Sequence, residues 1–164
     1  MSDRRLERLG PRHRLDDFHS GNQPLDRWLY VHALASQHMD VARTFVLVDG
    51  ERVAGYFSLT MGSVHRAEAP PALVRGLPGC PVGMVLLARL AVDRSAQGQG
   101  LGSALLAEAL RRALAAGEAA AARLVVVDAI DETAVGFYAH HGFVAVPEHP
   151  FRLYRRMKDI GASR

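Results

Sequence analysis

The sequence predicts a mixed α/β fold, and three features predict it. Residues 44–48 and 52–63 are β-rich runs joined by Asp49-Gly50, a dipeptide made for a hairpin turn. Residues 82–92 form a long apolar run that feeds, through a polar turn, into the longest helical pattern of the chain. A second run of this kind, 124–127, again leads into a helix and then into more strands, and such alternation builds a mixed sheet with flanking helices.

The elements follow in order. A first strand is expected near residues 5–9. The turn cluster Ser20-Gly21-Asn22-Gln23-Pro24 then opens a helix. Leu25, Trp28, Leu29 and His32 lie at i, i+3, i+4 and i+7, one face of a helix to about Gln37, with His32 as a partly buried structural residue. After the hairpin, a loop rich in Pro and Gly covers residues 67–81. The strand at 82–92 and the polar turn at 93–99 precede a helix over 100–116, on which Leu101, Ala104, Leu105, Glu108 and Arg112 recur at helical spacing and which Gly117 ends. Strand 124–127, a helix over 131–140 stopped by Gly142, and strands 143–146 and 151–157 complete the chain.

Length and composition bound the class. One hundred and sixty-four residues is the size of one domain, taken here as 1–164. The chain is 49% apolar and 23% charged, an ordinary mixture for a folded protein. No apolar run follows Met1, so no secretory signal is expected. The strongest apolar stretch, near residues 84–88, is far short of the roughly 20 residues of a membrane span. A cytoplasmic protein with no membrane partner is expected. One cysteine, Cys80, allows no internal disulfide. Without a placed His partner it reads as an incidental thiol rather than an acyl-carrying nucleophile. No metal ligand set is assigned.

The net charge of +3 is unevenly spread: residues 1–14 carry +3 and residues 150–164 carry +4. Such basic ends suit nucleic acid or are plain solvated tails.

The sharpest motif is Gln97-Gly98-Gln99-Gly100-Leu101-Gly102, set between strand and helix. Glycines let a backbone turn tightly and approach a ligand. The helix start that follows offers unpaired N–H groups and a partial positive charge, an anion site suited to a pyrophosphate. A Walker loop needs Gly-Lys-Ser/Thr, and no Lys occurs before Lys158. A dinucleotide fingerprint needs a third glycine where Ser103 stands. A glycine turn that holds nothing is the remaining alternative.

With its preceding Leu90-Ala91-Val92-Asp93 and the later Gly136-Phe137-Tyr138-Ala139-His140-His141-Gly142-Phe143, this motif resembles the GNAT superfamily of acetyl-coenzyme A-dependent N-acetyltransferases. The family signature is Gln/Arg-x-x-Gly-x-Gly/Ala. The resemblance implies a mostly antiparallel central sheet with one parallel strand pair splayed around the cofactor. It further implies that Leu90, Ala91 and Val92 hold the thioester arm of acetyl-coenzyme A, and that Gln97, Gly98, Gln99, Gly100, Leu101, Gly102 and Ser103 hold its pyrophosphate. Several stretches (Ala42-Arg43-Thr44-Phe45-Val46, Val53-Ala54-Gly55-Tyr56-Phe57-Ser58-Leu59, Gly62-Ser63-Val64, Leu87-Ala88-Arg89-Leu90) are similar to the acetyltransferase toxins of bacterial toxin–antitoxin pairs. So are Phe18-His19-Ser20-Gly21 and Leu25-Asp26-Arg27-Trp28-Leu29. That resemblance implies acetylation of the α-amino group of aminoacyl-tRNA, a block on translation, neutralisation by a ribbon–helix–helix antitoxin, and a homodimer. Many GNAT proteins carry Asn, and some of these toxins His, where this chain has Asp128.

The resemblance gives Tyr138 the place of the general acid. By spacing alone, Ala134, Phe137, Tyr138 and His141 form one helical stripe; this makes Phe137 core and leaves Tyr138 open between anchor and acid. His140 and His141 read as surface or packing residues rather than a proton relay. Arg75, in the long loop, and Arg89, beside the thioester strand, are the candidates for tRNA contact. Two other readings stand beside this one: a GNAT enzyme acting on a small amine or a protein N-terminus, and an antitoxin-binding regulatory module.

Overall fold

The computed structural model describes residues 4–79 and 81–162. Cys80 and the reading of its thiol lie outside the described residues. Strands β1 (Arg4–Arg8), β2 (Arg43–Asp49), β3 (Arg52–Val64), β4 (Val82–Val92), β5 (Leu124–Asp128), β6 (Val144–Val146) and β7 (His149–Arg156) run in the order β1-β2-β3-β4-β5-β7-β6. The helices are α1 (Gln23–Arg27), α2 (Ala33–His38), α3 (Pro71–Val74), α4 (Leu101–Ala120), α5 (Glu132–His140) and α6 (Met157–Ala162). The mixed α/β class read from the sequence is the one observed. Among the described residues, no helix is long and apolar enough to cross a membrane.

The chain forms two compact units. One runs to Thr60 and takes in Ala88–Ala109; the other holds Met61–Leu87 and the chain from Leu110 onward.

In the first unit, β1 pairs antiparallel with β2, and β2 with β3, Gly50 turning the hairpin at φ +66°. Asn22 caps α1 by accepting the Leu25 N–H at 3.0 Å. A π-helical turn, Trp28–His32, then separates α1 from α2, and the Ala33 N–H reaches back to the Trp28 carbonyl. The wider turn moves the buried stripe to Leu25, Leu29, Ala33 and Gln37. His32, expected on that stripe, is exposed in consequence. Leu25, Leu29 and Ala33 pack with Val46, Val48, Val53 and Tyr56. Burying a side chain of Leu size contributes roughly 1.5–3 kcal/mol.

In the second unit, β4 and β5 pair in parallel from Met84↔Leu124 to Leu87↔Val127. Strand β5 then pairs antiparallel with β7, and β7 with β6. Leu124, Val125, Val126 and Val127 are all fully buried, as befits a strand covered on both faces. Leu124 and Val126 join Val64, Val74, Met84 and Tyr154 in one core.

Helix α4 differs from expectation in two ways. It runs through Gly117 to Ala120, and Ala121 at φ +61° ends it instead. A Cβ at Gly117 would lie 2.9 Å from the Met157 methyl, so this glycine admits a neighbour rather than stopping the helix. The buried face is Leu101, Leu105, Leu106, Ala109, Leu110 and Ala113, and Ala104 and Arg112 are exposed. The residues after β7, expected to be strand as far as Met157, begin α6 at that residue.

Candidate active site

Strand β4 runs on to Val92 although its register with β5 stops at Leu87. Leu90, Ala91 and Val92 therefore stand on a stretch with no β5 partner. Ala91 is buried, and Leu90 and Val92 are half-buried.

The strand gives way to Asp93, which sequence reasoning left as part of a polar turn. Its carboxylate is buried and accepts the His19 N–H at 2.8 Å, the Ser95 N–H at 3.0 Å and the Ser95 hydroxyl at 2.5 Å. The Asp93 N–H donates to the Ala54 carbonyl at 2.8 Å, and the Arg94 N–H to the His19 carbonyl at 2.8 Å. Burial works against the charged carboxylate. The donated hydrogen bonds, with Arg52 at 3.6 Å, outweigh it and hold the pKa below the ordinary value. One acidic side chain thus ties β3, β4 and the segment before α1 together at the root of the glycine loop.

Gln97 completes that anchorage. Its side-chain amide donates to the carbonyls of Val92 at 2.8 Å and Ser20 at 2.7 Å, while its N–H closes a 3₁₀ turn on Arg94. Sequence reasoning grouped Gln97 with the pyrophosphate donors. Its polar donors are spent on positioning the loop. Gln99 accepts from Arg4 at 2.9 Å.

Beyond Gln97 the loop is exposed, and Gly98 (φ +79°) and Gly100 (φ +74°) both take the left-handed conformation that L side chains resist. A Cβ built on either would meet nothing within 4 Å. These glycines answer to backbone conformation and open space, not to crowding by the protein. Helix α4 starts at Leu101, and Ala104 donates the first helical bond, to Gly100 at 3.2 Å. The first turn of an α-helix offers N–H groups with no acceptor four residues back, and here it is the positive end of a 20-residue helix. Open left-handed glycines leading into such a turn fit a diphosphate. Gly55 fixes where the helix sits: a Cβ there would be 2.5 Å from Leu105 Cδ1 and 3.1 Å from the Ala91 carbonyl. No motif in the sequence signals that close approach.

Arg89 precedes the thioester stretch. Its guanidinium carbon lies 3.8 Å from the centre of the Trp28 ring, and Trp28 in turn stacks on Tyr56 at 6.3 Å and 12°. Partial burial lowers its pKa, while Tyr56 opposes the shift.

Tyr138 and Arg75 belong to the second unit. Asp131 caps α5, accepting the Ala134 N–H at 2.8 Å. Gly142 at φ +89° closes the helix, with Phe143 donating back to the Tyr138 carbonyl at 3.1 Å. The Tyr138 ring is buried, edge-on to Phe137 at 5.2 Å and to Phe143 at 5.8 Å. Phe137, expected in the core, is only half-buried and Phe143 takes that place. Burial pushes the Tyr138 pKa well above the usual value, and no described residue accepts a hydrogen bond from its hydroxyl. A phenol so placed stays protonated and has its proton uncommitted. His140 is exposed, and the half-buried His141 contacts Phe137 and His140.

Arg75 is exposed after α3. Asp128, at the end of β5, is held by Arg152 through paired bonds of 2.7 and 2.9 Å. Its register partner thereby neutralises it. The basic ends are also largely paired, Arg4 with Asp49, Arg5 and Arg12 with Glu7, and Arg156 with Asp159.

Comparison with known proteins adds the following. Residues 40–145 match the acetyltransferase (GNAT) domain. The chain is 41% identical over 145 residues to the tRNA-acetylating toxin of Mycobacterium tuberculosis (strain ATCC 25618 / H37Rv), covering 88% of this chain and 87% of that protein. Among solved structures, AtaT complexed with acetyl-methionyl-tRNAfMet is similar at a TM-score of 0.91 and 29% identity, over 98% of this chain and 99% of that one. A tyrosine-to-phenylalanine variant of AtaT, bound to the C-terminus of the antitoxin AtaR and acetyl-CoA, is similar at a TM-score of 0.85 and 29% identity, over 98% of each chain.

Proposed function

This chain belongs to the GNAT acetyltransferase family, and we propose that it is a toxin that blocks translation by acetylating the α-amino group of an aminoacyl-tRNA. It is an N-acetyltransferase that uses acetyl-coenzyme A. The observation that carries the choice of substrate is the 41% identity to a tRNA-acetylating toxin over 88% of the chain.

Acetyl-coenzyme A supplies the acyl group as a thioester, with a thiolate to leave. Leu90, Ala91 and Val92 hold the thioester arm, and a main-chain N–H of this stretch that faces away from β3 polarises the carbonyl; one oriented donor of this kind is worth about 3–4 kcal/mol. Gly98, Gln99, Gly100, Leu101, Gly102 and Ser103 present the diphosphate cradle, with Gln97 and Asp93 setting its position. Tyr138 holds the proton destined for the departing sulfur. Even at ordinary values, a phenol of pKa about 10 and a thiol of about 8.5 make a stepwise transfer uphill by roughly 2 kcal/mol. Burial widens that gap, so Tyr138 donates as the carbon–sulfur bond breaks rather than before it, and the surplus proton on the acylated nitrogen is released to solvent, from which the tyrosinate is reprotonated.

The acceptor needs no strong base. An α-amine of pKa near 8 is about a tenth neutral at pH 7, against about 0.04% for a lysine. This difference favours the α-amino group. Arg75 and Arg89 contact the RNA. An antitoxin of the ribbon–helix–helix type neutralises the toxin, which acts in the cytoplasm as a homodimer.

Radiolabelled acetyl-coenzyme A incubated with charged tRNA tests the reading. Label on the tRNA supports it. Label confined to small amines or protein N-termini, with none on tRNA, replaces it with the broader GNAT activity.

A further inference from the structure

We propose that Arg89, laid on Trp28, is a phosphate-binding site for the RNA strand that carries the acceptor, and that Trp28 is the residue that orients it. This deepens the tRNA reading and rests on it for the identity of the polyanion.

Two features of the stack carry the inference. First, the contact with Trp28 leaves the N–H donors over. The guanidinium carbon lies 3.8 Å from the Trp28 ring centre, and a cation–π contact of this kind takes none of the five N–H donors as hydrogen bonds. Among the described residues, no carboxylate, carbonyl or hydroxyl takes those donors. The nearby Asp26 is committed to Ser20, accepting its hydroxyl at 2.6 Å and its N–H at 3.1 Å. The Tyr56 hydroxyl donates to the Leu25 carbonyl at 2.7 Å. A half-buried arginine with no internal anion has lost hydration at its N–H groups without gaining an acceptor for them, and its planar fork matches two phosphate oxygens.

Second, the backbone is distorted at the residue beneath. Trp28 begins the π-helical turn, a rare geometry that is frequent at functional sites. An α-helical course would have kept the stripe Leu25, Trp28, Leu29 and His32 together. Instead Trp28 meets Arg89 and lies nearly parallel to Tyr56, and Phe18 braces Tyr56 edge-on at 5.7 Å. The contact holds the guanidinium in place, a device for directing a fork and needless for a solvated surface charge.

Fluorescence anisotropy with an uncharged, fluorescein-labelled tRNA reads this without requiring catalysis. Arg89→Gln is expected to weaken binding at least tenfold and to make the dependence of affinity on salt shallower by about one ion. Arg89→Lys, which keeps the charge and loses the fork, should recover only part of the affinity. Trp28→Leu, which keeps the arginine and loses its platform, should weaken binding severalfold with the salt slope preserved. The KM for acetyl-coenzyme A should stay within twofold of wild type in all three. Unchanged RNA affinity and slope in a folded Arg89→Gln protein overturns the proposal, as does a loss confined to acetyl-coenzyme A. Should Arg89→Gln misfold, Arg89→Lys and Trp28→Leu decide by the same criteria. RNA binding that depends on Arg89 in a protein that transfers no acetyl to charged tRNA upholds this site and sinks the substrate reading. Transfer with affinity indifferent to Arg89 does the reverse.

Discussion

Gln97 donates from its side-chain amide to the main-chain carbonyl of Val92 at 2.8 Å, and so locks the first residue of the glycine loop to the last residue of β4. The same amide reaches Ser20 at 2.7 Å. Each such bond is worth about 0.5–1.5 kcal/mol net, and for two exposed bonds at the weak end of that range the loss of both amounts to roughly a five- to tenfold effect. Gln97→Ala is expected to raise the KM for acetyl-coenzyme A by about three- to tenfold with kcat within twofold. Steady-state kinetics checks this; a rise confined to the KM for tRNA would assign Gln97 elsewhere.

Gly98 and Gly100 carry left-handed backbone in open space. An alanine at either costs about 1–2 kcal/mol of conformational strain, which shifts Tm by a few degrees in a chain of this size. It also places a methyl group in the proposed diphosphate cradle. Gly50→Ala is the control, because Gly50 has φ +66° and equally open surroundings in the β2–β3 hairpin. All three variants should melt earlier. Only Gly98→Ala and Gly100→Ala should lose the rise in Tm that saturating acetyl-coenzyme A confers on wild type, about 2.7 kcal/mol at a hundredfold excess over Kd. Equal ligand stabilisation across the three would empty the loop of its proposed role.

Tyr138→Phe keeps the ring that packs against Phe137 and Phe143 and removes a hydroxyl that no described residue uses. Its Tm should match wild type within about a degree, while kcat falls at least tenfold, at the lower end for a general acid. The pH profile carries a sign as well. The acid must be protonated, and burial raises its pKa. The rate should therefore climb as the acceptor amine loses its proton near pH 8 and show no decline by pH 9.5. A descending limb centred below pH 9.5 would show that a more acidic group serves as the donor.

Asp93 links stability to pH. Its folded-state pKa lies below the unfolded value of about 3.9, so its contribution is complete above that value and is lost as pH falls through the lowered one. Asp93→Asn weakens the bonds to His19 and Ser95 and should cost about 1–2 kcal/mol at pH 7. The difference from wild type should shrink below about pH 4. Thermal melts between pH 3 and 7 measure it, and a gap that stays constant would deny the carboxylate this linkage.

Much of this site can be read from residue order because its parts are local. Strand, polar turn, glycine loop and helix follow one another between Val82 and Ala120, and Asp131 and Gly142 bracket the helix that carries Tyr138. The parts that escaped notice depend on distant partners. The burial of Asp93 follows from meeting His19, and the Gly55 approach exists only because Leu105 packs there. The Arg89–Trp28 stack joins a strand to a helix turn whose π geometry moves His32 outward, a shift hidden from any analysis that assumes 3.6 residues per turn. Gly117 misled for the same reason: its neighbour is Met157, forty residues on, and helical spacing alone makes it a terminator.

The most direct test is chemical identification of the product. Charged tRNA incubated with the protein and acetyl-coenzyme A, then digested with ribonuclease and analysed by mass spectrometry, should yield terminal adenosine esterified to an N-acetylated amino acid, and the Tyr138→Phe protein should yield at least tenfold less. Aminoacyl-adenosine recovered without acetylation for every amino acid, from protein that still acetylates a simple amine, would contradict it.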